Sequence, residues 1–182
     1  MQNEIDILRD LSERLQSAGI AFMLTGSVAM SYYAQPRMTR DIDIVVALEE
    51  ADAGRIFRLF AADYYVSQEA IAEAIQRKSM FNIIHLDSVI KVDFIVLLDT
   101  PFARSEFQRR TELQVEGFQT TIISREDLIL SKLLWARDSE SELQLRDVRN
   151  LLTGDCDLPY LRKWAQDLDV TQTLEALLNR SE

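Results

Sequence analysis

The stretch Leu24–Val46, "LTGSVAMSYYAQPRMTRDIDIVV", sets two aspartates one residue apart at the head of an apolar run. Asp41 and Asp43 stand between a Thr-Arg pair and Ile44-Val45-Val46, so the context says inside while the carboxylates say water. Residues two apart on a strand share a face, which points both carboxylates the same way with their backbones about 6.5 to 7 Å apart. At that separation the two charges repel by roughly 2 kcal/mol at an effective dielectric of about 20, before any cost of desolvation. Unneutralised, one of them keeps its proton. A divalent cation removes the conflict, and an all-oxygen donor set suits Mg²⁺, which is typically bound by one or two carboxylates together with substrate phosphates.

Working outward, Asp93 in "VIKVDFIVLL" is flanked by strand-forming apolar residues, where an isolated aspartate is costly. If that strand neighbours "DIDIVV", Asp93 reaches the same metals. Three carboxylates can hold two ions about 3.5 to 4 Å apart, the arrangement that activates an attacking oxygen and stabilises a leaving pyrophosphate. Lys91, on the same strand face, balances charge when metal is absent. Upstream, Gly26-Ser27 breaks the short apolar strand "IAFMLT" before the helical "SVAMSYYA". A glycine lets backbone approach a phosphate, and the N-terminus of the following helix offers free N–H groups and a partial positive charge. With the Ser27 hydroxyl added, the stretch reads as a phosphate cradle followed by a metal-ligand pair.

Elsewhere, Ile5, Leu8, Leu11 and Leu15 predict an amphipathic first helix ending near Gly19. Helices are expected around "EEADAGRIFRLF" and "SQEAIAEAIQR", strands at "MFNIIHL" and "VIKVDFIVLL", and a hairpin in "TELQVEGFQTTII" closed near Glu116-Gly117. From Ser124, a capping residue with Asp127 three positions on, the pattern is wholly helical. The class is α/β or α+β: a mixed sheet core flanked by helices over residues 1–123, with a C-terminal helical section over 124–182 packed on it. At 182 residues and 47% hydrophobic the chain can bury one sizeable core. The formal charge of −10 disfavours a sequence-independent nucleic-acid clamp. One cysteine, Cys156, and no apolar run of membrane-spanning length lead to the expectation of a reducing, cytoplasmic setting without membrane insertion.

Those residues resemble the nucleotidyltransferase superfamily that includes DNA polymerase beta. Its pattern is an apolar residue, Gly, then Gly or Ser, and a D-x-D or D-x-E on the next strand, matched here by Gly26-Ser27 and Asp41-Ile42-Asp43. The approach "RMTRDID", with Arg37 and Thr39 at alternate positions before Asp41, is similar to the bacterial minimal branch, and Asp93 matches the third carboxylate. "SREDLILSKLLWARDSESELQLRDVRNLL" resembles more loosely the helical segment of abortive-infection nucleotidyltransferase toxins, with Lys132 and Asp147 matching a lysine and a later aspartate of the site. The resemblance implies a transferase using an NTP and Mg²⁺ or Mn²⁺, with an antitoxin as partner if the toxin likeness holds. It leaves the acceptor open among an RNA 3′ end, a protein hydroxyl and a small molecule. Ser27 stands where many members carry a second glycine.

Several of these residues also have plainer readings. Arg37 and Arg40 suit phosphates or simply a solvated loop. Lys132 lies within "LILSKLLWA", where snorkelling explains a lysine as well as phosphate binding does. Asp147 reads as a helix-surface acid paired with Arg146 or Arg149, His85 as a hydrogen-bonded structural residue, and Tyr32, Tyr33, Trp135 and Trp164 as core. The rivals are a catalytically silent nucleotide-binding or protein-interaction module, and a phosphohydrolase, which the absence of a histidine near D-x-D disfavours.

Overall fold

The computed structural model describes residues 3–35 and 41–179. Helix α1 (Glu4–Ser17) opens on a reciprocal cap. Asn3 Oδ1 accepts from the Asp6 N–H at 2.9 Å, and the Asn3 N–H donates to Asp6 Oδ2 at 3.1 Å. Its stripe of Ile7, Leu8, Leu11 and Leu15 is buried, and the helix stops before Gly19 at φ 64°. Strand β1 (Phe22–Thr25) runs directly into α2 (Gly26–Tyr33), and β2 (Asp41–Val46) follows. After a 3₁₀ turn at Glu50–Asp52 come α3 (Ala53–Phe60), β3 (Tyr64–Tyr65), α4 (Gln68–Arg77), β4 (Met80–His85) and β5 (Lys91–Val96). The rest is α5 (Pro101–Gln108), the hairpin β6 (Thr111–Val115) and β7 (Phe118–Ile122), and helices α6 (Arg125–Ser139), α7 (Glu142–Leu152), α8 (Leu158–Asp167) and α9 (Thr171–Leu178).

The strands form one seven-stranded sheet in the order β3-β4-β5-β2-β1-β7-β6. Two pairings are parallel, β2 with β5 and β1 with β7, and the others antiparallel, so the sheet is mixed. On one face Ile42, Ile44, Val92 and Phe94 are fully buried. Phe94 stacks on Phe81 at 5.1 Å and meets Phe60 of α3 at 5.7 Å. On that face α1 is pinned to β7 by Ser12 Oγ, which donates to Thr120 Oγ1 at 3.0 Å inside the core. Period-two alternation then sends Asp41, Asp43, Lys91 and Asp93 to the opposite face.

The helices after β7 are tied to one another and to α2 and α5 by two polar knots. Asp127, fully buried, accepts from Ser124 Oγ at 2.6 Å, Arg109 Nε at 3.0 Å and Tyr160 Oη at 2.6 Å, joining the ends of α5, α6 and α8. Arg125 donates to the carbonyls of Tyr33 at 3.0 Å and Leu151 at 3.1 Å, joining α2 to α7. Gly154 makes that second knot possible, because a Cβ there would lie 1.7 Å from Arg125 Nη1.

Three expectations need correction. Helix α5 has no counterpart in the sequence reading, because "PFARSEFQ" carries no clear apolar period, although Thr100 caps it and Pro101 starts it. Tyr32 is 57% exposed rather than core: it meets the ring of Tyr33 edge to face at 4.9 Å from the solvent side, while the Tyr33 hydroxyl donates to the Ile123 carbonyl at 2.7 Å. Tyr64–Tyr65 is a short strand pairing with β4 that no alternation announced. His85 is structural as expected: its Nδ1 accepts from the Ser88 N–H at 3.2 Å in the turn after β4.

In that turn Val89 stands at φ 57° with its side chain exposed. A Cβ in the left-handed region costs about 1 to 2 kcal/mol, least for asparagine. Val89→Asn is expected to stabilise the protein by about 1 kcal/mol, read as a higher urea midpoint; an unchanged or lower midpoint refutes it.

Candidate active site

The parallel register of β2 and β5 puts Asp43 beside Asp93 and Asp41 beside Lys91, and the antiparallel register of β1 and β2 puts Thr25 on the other side of Asp43. Sequence spacing gave the shared face, and strand order supplies the neighbours. Asp93 is buried, Asp43 half-buried, and Asp41 exposed at the start of its strand. Lys91 Nζ bridges the group, 2.8 Å from Asp93 Oδ2 and 3.7 Å from Asp41 Oδ2. Its ammonium is held above the usual lysine range by the Asp93 hydrogen bond.

Gly26 roofs this row. It begins α2 at φ 64°, and a Cβ on it would sit 1.9 Å from Asp43 Oδ2, so only a glycine lets the backbone lie against the carboxylate. Burial first and Asp93 next push the Asp43 carboxyl up to about 6, against a backbone hydrogen bond from Ser27 that favours its charged form. The helix N-terminus and the D-x-D motif are therefore in direct contact.

Lys132 approaches from α6. It is buried and donates to Asp147 Oδ2 at 2.8 Å and Gln144 Oε1 at 3.0 Å. This corrects the surface reading of Asp147: it is fully buried and, among the described residues, it pairs with Lys132 rather than with Arg146 or Arg149. The field of Lys132 reaches Asp43 and opposes the rise of its pKa. Trp135, expected in the core, is 54% exposed one helical step along from Lys132.

These groups line one cavity of about 550 Å³. Gly26, Ser27, Asp41, Asp43, Asp93 and Lys132 all face it, and so do Lys91, Trp135, Gln144, Ser131 and Glu106. Asp147 stands behind Lys132 and does not line it. Arg37, Thr39 and Arg40 lie outside the described residues. Glu106 was missed by sequence reasoning; the Thr-Pro start of α5 was the available signal for its helix, and nothing local marked the glutamate itself.

Among the described residues no three His, Cys, Asp or Glu side chains already stand converged as a metal cluster. The donor set nonetheless fits a divalent cation. Asp43 and Asp93 are neighbours in register, and their mutual repulsion raises Asp43. The single positive charge of Lys91 spans two of the three carboxylates. The surroundings also suit a phosphate chain, with Ser27 and the N-terminus of α2 on one side and Lys132 on the other.

No protein-family model and no curated protein sequence matches the chain. Solved structures do. An antigenic nucleotidyltransferase-like protein from Paracoccidioides brasiliensis aligns over 97% of this chain and 88% of its own, with TM-score 0.63 at 18% identity. The lincosamide antibiotic adenylyltransferase LnuA, in its lincomycin-bound form, covers 82% of this chain and 96% of its own, with TM-score 0.55 at 14% identity. The antibiotic-resistance factor ANT(2'')-Ia covers 96% and 93%, with TM-score 0.51 at 15% identity. At these identities the likeness is one of architecture: the chain has the nucleotidyltransferase fold, an α/β mixed sheet flanked by helices. Among the described residues no helix is long and apolar enough to cross a membrane.

The raised carboxyl has a consequence for stability. Folding favours the protonated form of Asp43, so its contribution is complete below pH about 4 and is lost as pH rises through about 6. In EDTA, Asp43→Asn is expected to exceed wild type in stability by on the order of 2 kcal/mol at neutral pH, with the difference closing toward pH about 4. Urea melts across that window check it, and a difference that does not vary with pH refutes it.

Proposed function

We propose that this chain is a nucleotidyltransferase that moves NMP from an NTP to an acceptor hydroxyl with the help of Mg²⁺ or Mn²⁺. The observation that carries the reading is the seating of the Gly26-Ser27 helix start directly on Asp43, with Asp93 in register beside it. A phosphate-binding helix terminus and a carboxylate row are thereby brought to one point, as the transfer of a charged phosphoryl group requires.

In this reading Asp41, Asp43 and Asp93 hold the metal, and Lys91 gives up its bridge to do so. Once bound, the metal supplies neutralisation of the triphosphate and of the leaving pyrophosphate, and a lowered pKa at the acceptor hydroxyl. Gly26 and Ser27 receive the β and γ phosphates. Lys132, fixed by Asp147 and Gln144, contributes a positive charge on the facing wall. The acceptor oxygen attacks the α-phosphorus in line. The new O–P bond forms as the α–β bridge breaks, pyrophosphate departs, and the hydroxyl proton passes to the Asp93 carboxylate. Two proteins of the same fold are described as a lincosamide antibiotic adenylyltransferase and an antibiotic-resistance factor, which favours a small-molecule acceptor for this chain; the antitoxin pairing finds no support among them.

ATP, GTP, CTP and UTP titrated with Mg²⁺ by calorimetry are expected to give metal-dependent binding of at least one nucleotide. Asp41→Ala and Asp43→Ala together are expected to weaken that binding and any transfer by on the order of 100-fold or more, with the fold retained by circular dichroism. A folded protein that binds none of the four overturns the reading in favour of a silent interaction module.

A further inference from the structure

A second cavity, of about 540 Å³, lies between α5, α6 and α8. Pro101, Phe102, Leu134, Trp164 and Leu168 form its walls, and Phe102 meets Trp164 edge to face at 5.3 Å. Its size and apolar character are those of small-molecule sites. Glu106 and Ser131 line this cavity and the carboxylate-bearing cavity alike, so the two spaces share a wall made of this pair. Ser131 Oγ donates to Glu106 Oε2 at 2.8 Å.

Glu106 is out of keeping with its place. It is buried on α5 beside Phe102 and Phe107, where a leucine would pack without the cost of burying a carboxyl. Burial pushes it up to about 7, against the help of the Ser131 hydroxyl and with Asp127 adding to the rise. A carboxyl kept at such cost between an apolar pocket and a polar one has the position of a group that handles a ligand.

We propose that this cavity is the acceptor subsite and that it takes an apolar-bodied small molecule, neutral or singly cationic, whose hydroxyl is held at the Glu106–Ser131 wall and presented to the carboxylate row. The proposal rests on the nucleotidyl-transfer reading above and gives its acceptor a chemical class. A polyamine sugar needs several ionised carboxylates around it, whereas among the described residues these walls hold Glu106 and Asp167 alone, the former part-protonated near neutral pH. An RNA end meets a chain of net charge −10, which lacks the excess of cations that binds a phosphate backbone. The chemistry at the hydroxyl is the same displacement: the acceptor O–P bond forms, the α–β bridge breaks, and pyrophosphate leaves.

The molecule carries its own reporters. Its two tryptophans divide between the cavities, Trp135 in the carboxylate-bearing one and Trp164 in the apolar one. Trp135→Phe leaves Trp164 as the sole indole, and Trp164→Phe leaves Trp135. The probes are menthol, a neutral alcohol; lincomycin, an apolar-tailed monoamine; tobramycin, a polyamine; and Mg-ATP. In Trp135→Phe, menthol or lincomycin is expected to shift Trp164 emission saturably, and tobramycin and Mg-ATP are not. Leu168→Glu is expected to weaken that response by at least about tenfold by placing a charge in the apolar wall. Should that variant not fold, Leu98→Glu, at a 45% exposed position of the same wall, serves instead.

No response of Trp164 to menthol or lincomycin, or a response to tobramycin or Mg-ATP in their place, overturns the proposal. In Trp164→Phe, the nucleotide best bound by calorimetry is expected to shift Trp135. If no nucleotide binds by calorimetry or shifts Trp135 while Trp164 still answers to menthol or lincomycin, nucleotidyl transfer fails and the ligand class of the cavity stands. If Trp135 answers and Trp164 is silent, the acceptor class fails and nucleotidyl transfer stands.

Discussion

The parallel pairing of β2 with β5 places Asp43 next to Asp93, one strand spacing or about 4.8 Å away. At that distance two carboxylates repel by on the order of 3 kcal/mol at an effective dielectric of about 20, comparable to a large point-mutation effect on a domain. The neighbours counter that repulsion. The Ser27 backbone faces Asp43, Lys91 lies along Asp93, and Lys132 adds its field from α6. Gly26 has no side chain because the carboxylate occupies the volume a Cβ would need. A sheet that only had to be stable would not carry this row, since apolar residues at the same positions would pack against α6 without any counter-charge.

Much of this row was legible in the sequence because the signals are local. A D-x-D at the head of an apolar strand fixes a shared face, and Gly-Ser between an apolar strand and a helix fixes a turn, whatever the rest of the chain does. What depends on which elements meet was not legible. Helical periodicity identifies Lys132 and Asp147 as residues on α6 and α7 but does not say that those faces pack together, so an acid that looked solvated proved fully buried on a lysine. Trp135 was misjudged for the converse reason: its apolar neighbours on α6 face the core while it turns toward the cavity. Helix α5 escaped because an eight-residue helix holding both Arg104 and a buried Glu106 has no clean apolar stripe to detect.

The helices beyond β7 are joined to one another and to α2 and α5 by polar knots as well as by apolar packing. Asp127 collects three donors from the ends of α5, α6 and α8, and Arg125 reaches two carbonyls on separate helices. Buried groups of this kind specify geometry, since an unmade hydrogen bond there costs more than a made one returns. The knots lie at the helix ends, which leaves the middles of α5 and α6, where Glu106, Ser131 and Lys132 sit, free to line cavities.

The pinning of α1 to β7 bears on how the chain reaches this state. Ser12 and Thr120 bond inside the core across a separation of 108 residues, and β1 finds its parallel partner at Leu24 and Ile122. At a synthesis rate of about 5 to 20 residues per second, the partner of Ser12 emerges on the order of 5 to 20 s after it. Throughout that interval the stripe of Ile7, Leu11 and Leu15 lacks the β7 strand it packs against, and β1 lacks its parallel partner. During synthesis, α1 therefore waits for a strand made more than a hundred residues after it.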